Sequence, residues 1–218
     1  MNSDENIKQQ ILDYANWDKR IDASKITVTV DKGTVMLKGP VNTYSSFLRL
    51  YNYARNSNNV VMVKADMVVK YADPQPRDSD IITFIENSIK WDAEMNGSNI
   101  TVASVDGNVT LSGNVDYFWK KVHAEERASR IVGVKNIKNE LAIVHTEKVS
   151  DEMLSQNIVN AMKINGYIDV TKINVNIDNA DVNLTGTVRS ALEREEVYKV
   201  ALFTSGVRSI NNILTIAS

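Results

Sequence analysis

The chain has 218 residues, 43% of them hydrophobic and 24% charged, with a formal net charge of −2 at pH 7. This composition is typical of a globular protein, the absence of cysteine excludes a disulfide framework and any thiolate ligand or nucleophile, and the near-neutral charge argues against a nucleic-acid partner. No run of 18 apolar residues and no basic segment followed by an apolar one is present, so we expect neither a transmembrane segment nor an export signal.

One pattern occurs three times along the chain, as "VDKGTVMLKGPV", "VDGNVTLSGNV" and "IDNADVNLTGTV". The glycines near the ends of these stretches, Gly39, Gly113 and Gly186, lie 74 and 73 residues apart, which is typical of a tandem repeat. We therefore predict three similar repeats. Their predicted ranges are residues 1–72, 77–145 and 149–218.

Each repeat opens with the pattern of an amphipathic helix. Apolar residues recur at a spacing of four, which places them on one helix face, and the acidic and hydroxyl residues before them are typical of a helix N-terminus. The apolar residues are Ile7, Ile11 and Ala15 in the first repeat, Ile81, Ile85 and Ile89 in the second, and Leu154, Ile158 and Met162 in the third.

Two short runs of alternating apolar residues follow in every repeat, and this period of two predicts a β-hairpin. In the second repeat the runs contain Ile100 and Val102, then Val109 and Leu111. The intervening turns read "DKG", "DG" and "NA". Because the third turn lacks a glycine, we expect it to be different or strained.

A second helix and a last strand complete each repeat. The helix is predicted over residues 43–56, 116–130 and 190–204, with Ala54, Ala128 and Ala201 in register on its inner face. The last strands contain "VVMVKADMVVKY", "VKNIKNELAIV" and "VRSINNILTIA". We expect a structural turn role for Gly33, Gly39, Gly107, Gly113, Gly133, Gly186 and Gly206.

Every repeat therefore reads α-β-β-α-β. Two helices on one face of a three-stranded sheet would bury the alternating apolar residues. The predicted fold class is α+β, with three tandem repeats that each pack two helices on a three-stranded mixed sheet.

The succession of "DGNVTLSGNV", a helix and "IVGVKNIKNEL" resembles the BON domain, named for bacterial osmotically inducible and nodulation proteins. All three repeats share this spacing, and "WDKRIDASKI" and "KWDAEMNGSNI" are similar to the opening of bacterial triple-BON proteins, which lack signal peptides. The first repeat departs from the pattern at "NSNNVV", where the glycine before the last strand is missing, and the third lacks the Asp-Gly turn. The resemblance implies a non-catalytic module associated with osmotic or envelope stress, phospholipid surfaces and, in some members, ion binding or protein quality control.

Few residues offer catalytic chemistry. His123 and His145 lie in different predicted elements without metal-ligand spacing, and the carboxylate pairs at 125–126 and 195–196 stand among basic residues, as on a solvated helix face. The sequence has no glycine-rich phosphate loop and no nucleophile elbow. We predict a non-enzyme with no catalytic residue, no cofactor and no metal site.

Two tryptophans occupy equivalent places. Trp17 and Trp91 stand nine residues before Ile26 and Ile100, where the third repeat has Ile164. Because this place is apolar in every repeat, we interpret both tryptophans as core plugs at the end of the first helix rather than as a binding site.

The segment "DYFWKK" is the first candidate binding surface. Trp119 stands where the first repeat has Ser45, and a position that accepts serine is not expected deep in a core. Tyr117, Trp119, Lys120 and Lys121 would then combine exposed rings with cations, which suits a phospholipid headgroup layer or a protein partner. Packing of the rings against a neighbouring repeat is the alternative.

A second candidate surface lies on the second helix of the first repeat. It consists of Tyr44, Phe47 and Tyr51. Together with Tyr53 these rings wrap around the helix, so some of them must face water or another repeat.

The leading hypothesis is a binding and scaffolding protein that contacts an anionic phospholipid surface or a protein partner under osmotic or envelope stress. The alternative is a soluble cytoplasmic stress protein that binds an ion such as potassium or holds client proteins. Without a visible export signal we expect a cytoplasmic location, or a periplasmic one if a signal peptide has been removed. No oligomeric state follows from these patterns.

Overall fold

The structure is a computed structural model that describes residues 3–70, 75–144 and 149–217. The first repeat contains α1 (Ser3–Trp17), β1 (Thr27–Asp31), β2 (Thr34–Val41), α2 (Tyr44–Asn56) and β3 (Met62–Val69). The second contains α3 (Asp78–Lys90), β4 (Asn99–Val105), β5 (Asn108–Val115), α4 (Phe118–Ser129), β6 (Asn136–Asn139) and β7 (Ala142–Ile143). The third contains α5 (Asp151–Ile164), β8 (Ile173–Asp178), β9 (Asp181–Val188), α6 (Ala191–Phe203), β10 (Ser209–Asn212) and β11 (Thr215–Ile216).

Each repeat forms a mixed sheet around its second strand. In the first repeat β2 pairs antiparallel with β1 and parallel with β3. In the third, β9 pairs antiparallel with β8 and parallel with β10 and β11. In the second, β5 pairs parallel with β6 and β7. The α+β class and the α-β-β-α-β order predicted from the sequence are therefore confirmed.

The central strand and both helices supply the core of each repeat. On the second helix Ala54, Ala128 and Ala201 are fully buried, as predicted, because a small residue lets the helix lie close to the sheet. On the central strand the same three positions are buried in every repeat. They are Val35, Leu37 and Val41; Val109, Leu111 and Val115; and Val182, Leu184 and Val188.

Two features of the elements were not predicted. A short 3₁₀ helix precedes the first strand of every repeat, at Ala23–Lys25, Ala93–Met95 and Val170–Lys172. The last strand of the second and third repeats is interrupted, after Asn139 and after Asn212 respectively.

Contacts between Cα atoms divide the chain into two compact units that do not follow the repeats. Unit 1 comprises the described residues up to Ala93 together with Thr101–Leu111 and Glu125–Glu140. Unit 2 comprises Glu94–Ile100, Ser112–Ala124 and the described residues from Leu141 onward. The second repeat therefore contributes to both units.

Within the described residues, none of the helices combines the length and the apolar character that a bilayer crossing requires. His145, considered above as a candidate imidazole, lies outside the described residues.

Candidate interaction surfaces

Lys120 does not belong to an exposed surface, which corrects the expectation for the "DYFWKK" segment. Its side chain is buried, and its ammonium group donates to the backbone carbonyl of Asn96 at 2.8 Å and lies 2.9 Å from the carboxylate of Asp116. A buried ammonium group is tolerated only when it is paired and hydrogen-bonded in this way. Lys120 is therefore committed to holding its own repeat together.

Trp119 is partly buried inside unit 2. Its ring centroid lies 6.4 Å from that of Tyr117, 6.2 Å from that of His123 and 6.3 Å from that of Phe203 in the third repeat. The neighbouring Phe118 packs against the hydrophobic cluster of the third repeat. The start of α4 thus contacts the following repeat, the alternative considered in the sequence analysis, while the binding role of Tyr117, Trp119 and Lys121 stays a prediction.

The rings of Tyr44, Phe47 and Tyr51 form a ladder along α2. Ring centroids are 5.6 Å apart between Tyr44 and Phe47 and 6.0 Å apart between Phe47 and Tyr51, with the planes nearly parallel. All three rings are partly buried, and Tyr44 and Phe47 pack against the core cluster of the first repeat. Most of this second candidate surface therefore serves packing inside unit 1.

Tyr44 also reaches into the second repeat. Its hydroxyl group donates to the Asn136 side chain at 3.3 Å. Burial raises the pKa of this phenol, and the negative charge of Glu125 raises it further. Tyr44 and Phe118 are equivalent in the two repeats, so the same helix position contacts the following repeat in unit 1 and in unit 2.

Trp17 and Trp91 are exposed, so their interpretation as core plugs is wrong. Their side chains are 74% and 82% exposed, and the equivalent Ile164 is 86% exposed. In α1 the inward face carries Ile11 and Ala15, and a residue two positions later is rotated by roughly 200°. Apolar residues a few positions further along each repeat are buried instead, and they are Ile21, Met95 and Ile168.

A second aromatic residue, on α3, accompanies Trp91, which caps the C-terminal end of that helix. Phe84 is 54% exposed and precedes Trp91 by seven residues, two helical turns, so both rings lie on the same face. The exposed Asn87 lies between them, and the exposed Lys90 is adjacent in sequence. This surface, the Phe84–Trp91 face, offers large apolar area, and a cation, Lys90, directly precedes Trp91 in the chain.

His123 and the carboxylate pairs at 125–126 and 195–196 contact other side chains of the protein. His123 is partly buried beside Trp119, and its Nε2 atom lies 3.9 Å from the Glu94 carboxylate. Glu126 pairs with Arg130, and Lys199 lies 2.9 Å from Glu195 and 3.2 Å from Glu196. Three of these four carboxylates thus belong to ion pairs along helix surfaces, and Glu125 accepts from the Asn139 side chain at 3.0 Å.

Three of the glycines expected at turns lie inside strands instead. Gly39, Gly113 and Gly186 fall within β2, β5 and β9. A Cβ atom at Gly113 would stand 2.1 Å from the Asn99 carbonyl oxygen, and the other two meet the same obstacle. These glycines therefore permit close backbone approach next to the first strand rather than a turn.

Comparison with protein families identifies one domain three times. The BON domain matches residues 3–71, 77–145 and 150–218, almost the entire chain. These matches confirm the resemblance inferred from the sequence. The outer membrane lipoprotein DolP of Haemophilus influenzae is 26% identical over 141 residues, which cover 61% of this chain and 72% of that protein.

Two solved structures show distant overall likeness. CdsD, a structural protein of the type III secretion system of Chlamydia trachomatis, is 15% identical with a TM-score of 0.27, covering 97% of this chain and 92% of that one. The periplasmic domain of the type III secretion inner membrane protein PrgH from S. typhimurium is 8% identical with a TM-score of 0.23, covering 94% and 98%. At these scores neither likeness carries weight for fold or function.

Proposed function

Because the chain belongs to the BON domain family, we propose that it is a non-enzymatic binding protein of the bacterial envelope that docks on anionic phospholipid surfaces. The outer membrane lipoprotein to which it is similar supports an envelope location and favours the periplasmic alternative over the cytoplasmic one. A role in osmotic or envelope stress is part of the same proposal.

The observation that carries this proposal is the exposure of Phe84 on α3 and of Trp91 at its C-terminal end, on the same side of the helix. Neighbouring exposed rings mark an interaction site where a single exposed apolar residue does not, since each ring buries about 150–250 Å² when covered. A tryptophan ring has an apolar body and a polar N–H group, so it is stable where hydrocarbon meets headgroups. Lys90 beside it would favour an anionic headgroup layer.

The equivalent residues support the same reading. Trp17 ends α1 and Ile164 ends α5, each exposed like Trp91. Weak apolar contacts repeated along one chain gain avidity when their geometry permits joint engagement. Tyr117 and Lys121 at the start of α4 remain a second candidate contact, from which Lys120 is withdrawn.

The proposal is tested by cosedimentation of the full chain with vesicles. Wild-type protein is expected to bind vesicles that contain phosphatidylglycerol more strongly than vesicles of phosphatidylcholine alone, with binding weakened by salt. The double variant Phe84→Ser, Trp91→Ser is expected to bind at least about tenfold more weakly, because the apolar area that enters the headgroup layer is lost.

A matched control is the double variant Val61→Ser, Val105→Ser, which removes two strongly exposed apolar side chains outside α3. It should bind vesicles as the wild type does, with circular dichroism showing that both variants are folded. Absence of wild-type binding to anionic vesicles would refute the proposed function. An equal loss in the control variant would refute the assignment to the Phe84–Trp91 face.

A further inference from the structure

A cavity of about 350 Å³ lies in unit 1 beside the start of α2. Six residues line it, and they are Arg20, Thr43, Ser45, Ser46, Arg49 and Arg130. The lining therefore consists of three guanidinium groups and three hydroxyl groups, without a carboxylate. Two of the arginines come from the first repeat and Arg130 comes from the second.

At the equivalent place in unit 2 two aromatic rings lie close together. Ser45 and Arg130 correspond in the repeat to Trp119 and Phe203, whose ring centroids are 6.3 Å apart. The small Ser45 side chain leaves open the volume that the indole ring of Trp119 occupies. All six lining positions differ between the two units, and the exchange of Trp119 and Phe203 for Ser45 and Arg130 makes the lining more polar.

The positive charge of the cavity is only partly balanced. Arg20 forms two hydrogen bonds to Asp18, at 2.7 and 2.8 Å, and Arg130 pairs with Glu126. Arg49 has no hydrogen bond or ion pair within residues 3–70, 75–144 and 149–217. Within the described part of the chain, three guanidinium groups therefore face two hydrogen-bonded carboxylates, and Arg49 bonds to neither of them.

The field of these arginines acts on Asp18. The hydrogen bonds from Arg20 lower the pKa of this buried carboxyl group, and the charge of Arg49 lowers it further. Arg49 is thus held close to the other charged groups of the cavity rather than extended away from them.

We propose that this cavity binds a phosphate-class oxyanion through Arg49, Arg130 and the hydroxyl group of Ser45 at the start of α2. Guanidinium groups match phosphate oxygens with paired N–H donors, and Ser45 adds a hydroxyl donor. The hydroxyl groups of Thr43 and Ser46 bond to each other, and Ser46 donates to the Arg20 carbonyl. A volume of about 350 Å³ falls at the small end of ligand pockets and admits a phosphate with a short polar substituent. The anion would join the first repeat to the second, since arginines of both reach it.

This inference is independent of the membrane docking proposed above, because a soluble phosphate compound tests it. Isothermal titration calorimetry of the full chain would use inorganic phosphate and glycerol 3-phosphate, at an ionic strength matched with sodium chloride. Binding is expected, together with a melting temperature that rises with phosphate but not with chloride, because the ligand stabilises only the folded arrangement.

Two variants test separately the positive charge of the cavity and its free volume. Arg49→Gln removes the unbalanced charge and is expected to weaken phosphate binding at least about tenfold. Ser45→Trp keeps all three arginines but fills the cavity as Trp119 does in unit 2, and it is expected to abolish binding. Arg55→Gln, which removes an exposed cation from the last turn of the same helix, is the matched control and should bind as the wild type does.

A third measurement, with phosphatidylglycerol vesicles and the Arg49→Gln variant, distinguishes a lipid headgroup from a soluble phosphate compound as the ligand. Arg49-dependent binding of free phosphate compounds assigns a soluble ligand, whereas Arg49-dependent binding of vesicles alone assigns a lipid headgroup. The inference is overturned if neither binds, or if Arg49→Gln and Arg55→Gln weaken binding equally. The Phe84→Ser, Trp91→Ser variant should retain phosphate binding, so failure of the membrane proposal would be seen separately.

Discussion

A buried polar side chain occupies the same place near the start of the second helix in every repeat. Ser46 donates to the backbone carbonyl of Arg20 at 2.6 Å, and the ammonium group of Lys120 donates to that of Asn96. Glu193 accepts from the amide of Asp169 at 2.6 Å. A neutral, a basic and an acidic residue thus perform one task, which is to satisfy the backbone of the loop before the first strand.

The local sequence explains why Lys120 was wrongly predicted to be exposed. Lys120 beside Lys121 and two aromatic residues resembles a solvated basic patch, and nothing in the local pattern indicates burial. Only the register of Ser46, Lys120 and Glu193 across the repeats could have suggested a shared internal role. The exposure of Trp17 was predictable, because the helical period that buries Ala15 turns position 17 away.

Asp181 provides a prediction on pH dependence. Hydrogen bonds from Arg208 and from Ser209 lower its pKa from 3.8 to about 2. A lowered pKa stabilises the fold fully above pH 4, and this contribution is lost as the pH falls from about 4 toward 2. Because the side chain is 38% exposed, solvent screening reduces the contribution to about 1 kcal/mol.

We therefore expect Asp181→Asn to lower the free energy of unfolding at pH 7 and to flatten its decline between pH 4 and pH 2. Urea denaturation at several pH values would measure both effects. Asp66→Asn, which removes an exposed carboxylate of β3, is the control. A decline for Asp181→Asn as steep as that of the wild type would contradict the prediction.

At the scale of elements, an aspartate in the first turn of each repeat's opening helix ties the hairpin to that helix. Asp78 accepts from the amides of Asp106 and Gly107 at 2.8 and 2.9 Å. Asp4 and Asp151 make the same pair of bonds to the turns of their own hairpins. The acidic residues that the sequence assigned to the helix N-terminus therefore also accept hydrogen bonds from the hairpin turn. No local sequence pattern predicts this contact.

Each hairpin turn contains two successive residues with positive φ. In the first two repeats, but not in the third, the second of these residues is a glycine. In the third repeat Asn179 and Ala180 have φ values of 50° and 64°. Alanine in this region costs about 1–2 kcal/mol, so Ala180→Gly is expected to raise the free energy of unfolding by up to about 1 kcal/mol after the added chain entropy of glycine. Thermal and urea denaturation would measure the gain.

The reverse change in the second repeat is the matched control. Gly107 has a φ of 78°, and a Cβ atom there would stand 2.4 Å from the Gly133 carbonyl oxygen. Gly107→Ala is therefore expected to lower the free energy of unfolding by about 2 kcal/mol or more. A lower melting temperature for Ala180→Gly would show that the third turn is not strained.

Most elements could be predicted because their periodicity is strong and repeated three times. The helix over residues 43–56 was predicted to within one residue of α2, which spans Tyr44–Asn56. The interruption after Asn139 was not predicted, although the alternation of apolar residues in "VKNIKNELAIV" lapses at "KNE", between Ile137 and Leu141. Such an interruption depends on pairing with β5, which the isolated strand sequence does not record.

At the scale of the whole molecule, the repeat period and the compact units give different divisions of the chain. The repeat period shows which residues are equivalent in sequence, whereas the compact units show which residues lie close together in space. In unit 2 the ring of Phe118, from the second repeat, packs against the cluster of the third. In unit 1 Tyr44 of the first repeat bonds to Asn136 of the second. Adjacent repeats therefore contribute to each other's stability.

This coupling predicts an effect across a repeat boundary. Phe118→Ala removes a partly buried ring from the cluster around Leu184 and Val197, and it is expected to cost about 2 kcal/mol, less than a fully buried phenylalanine. In hydrogen exchange, the amides of α6 and β10 should exchange faster in the variant. Leu192→Ala, at a strongly exposed position on α6, should change the free energy of unfolding by less than about 0.5 kcal/mol. If Phe118→Ala accelerated exchange in the second repeat alone, the third repeat would be stable without its neighbour, and the repeats would be independent domains.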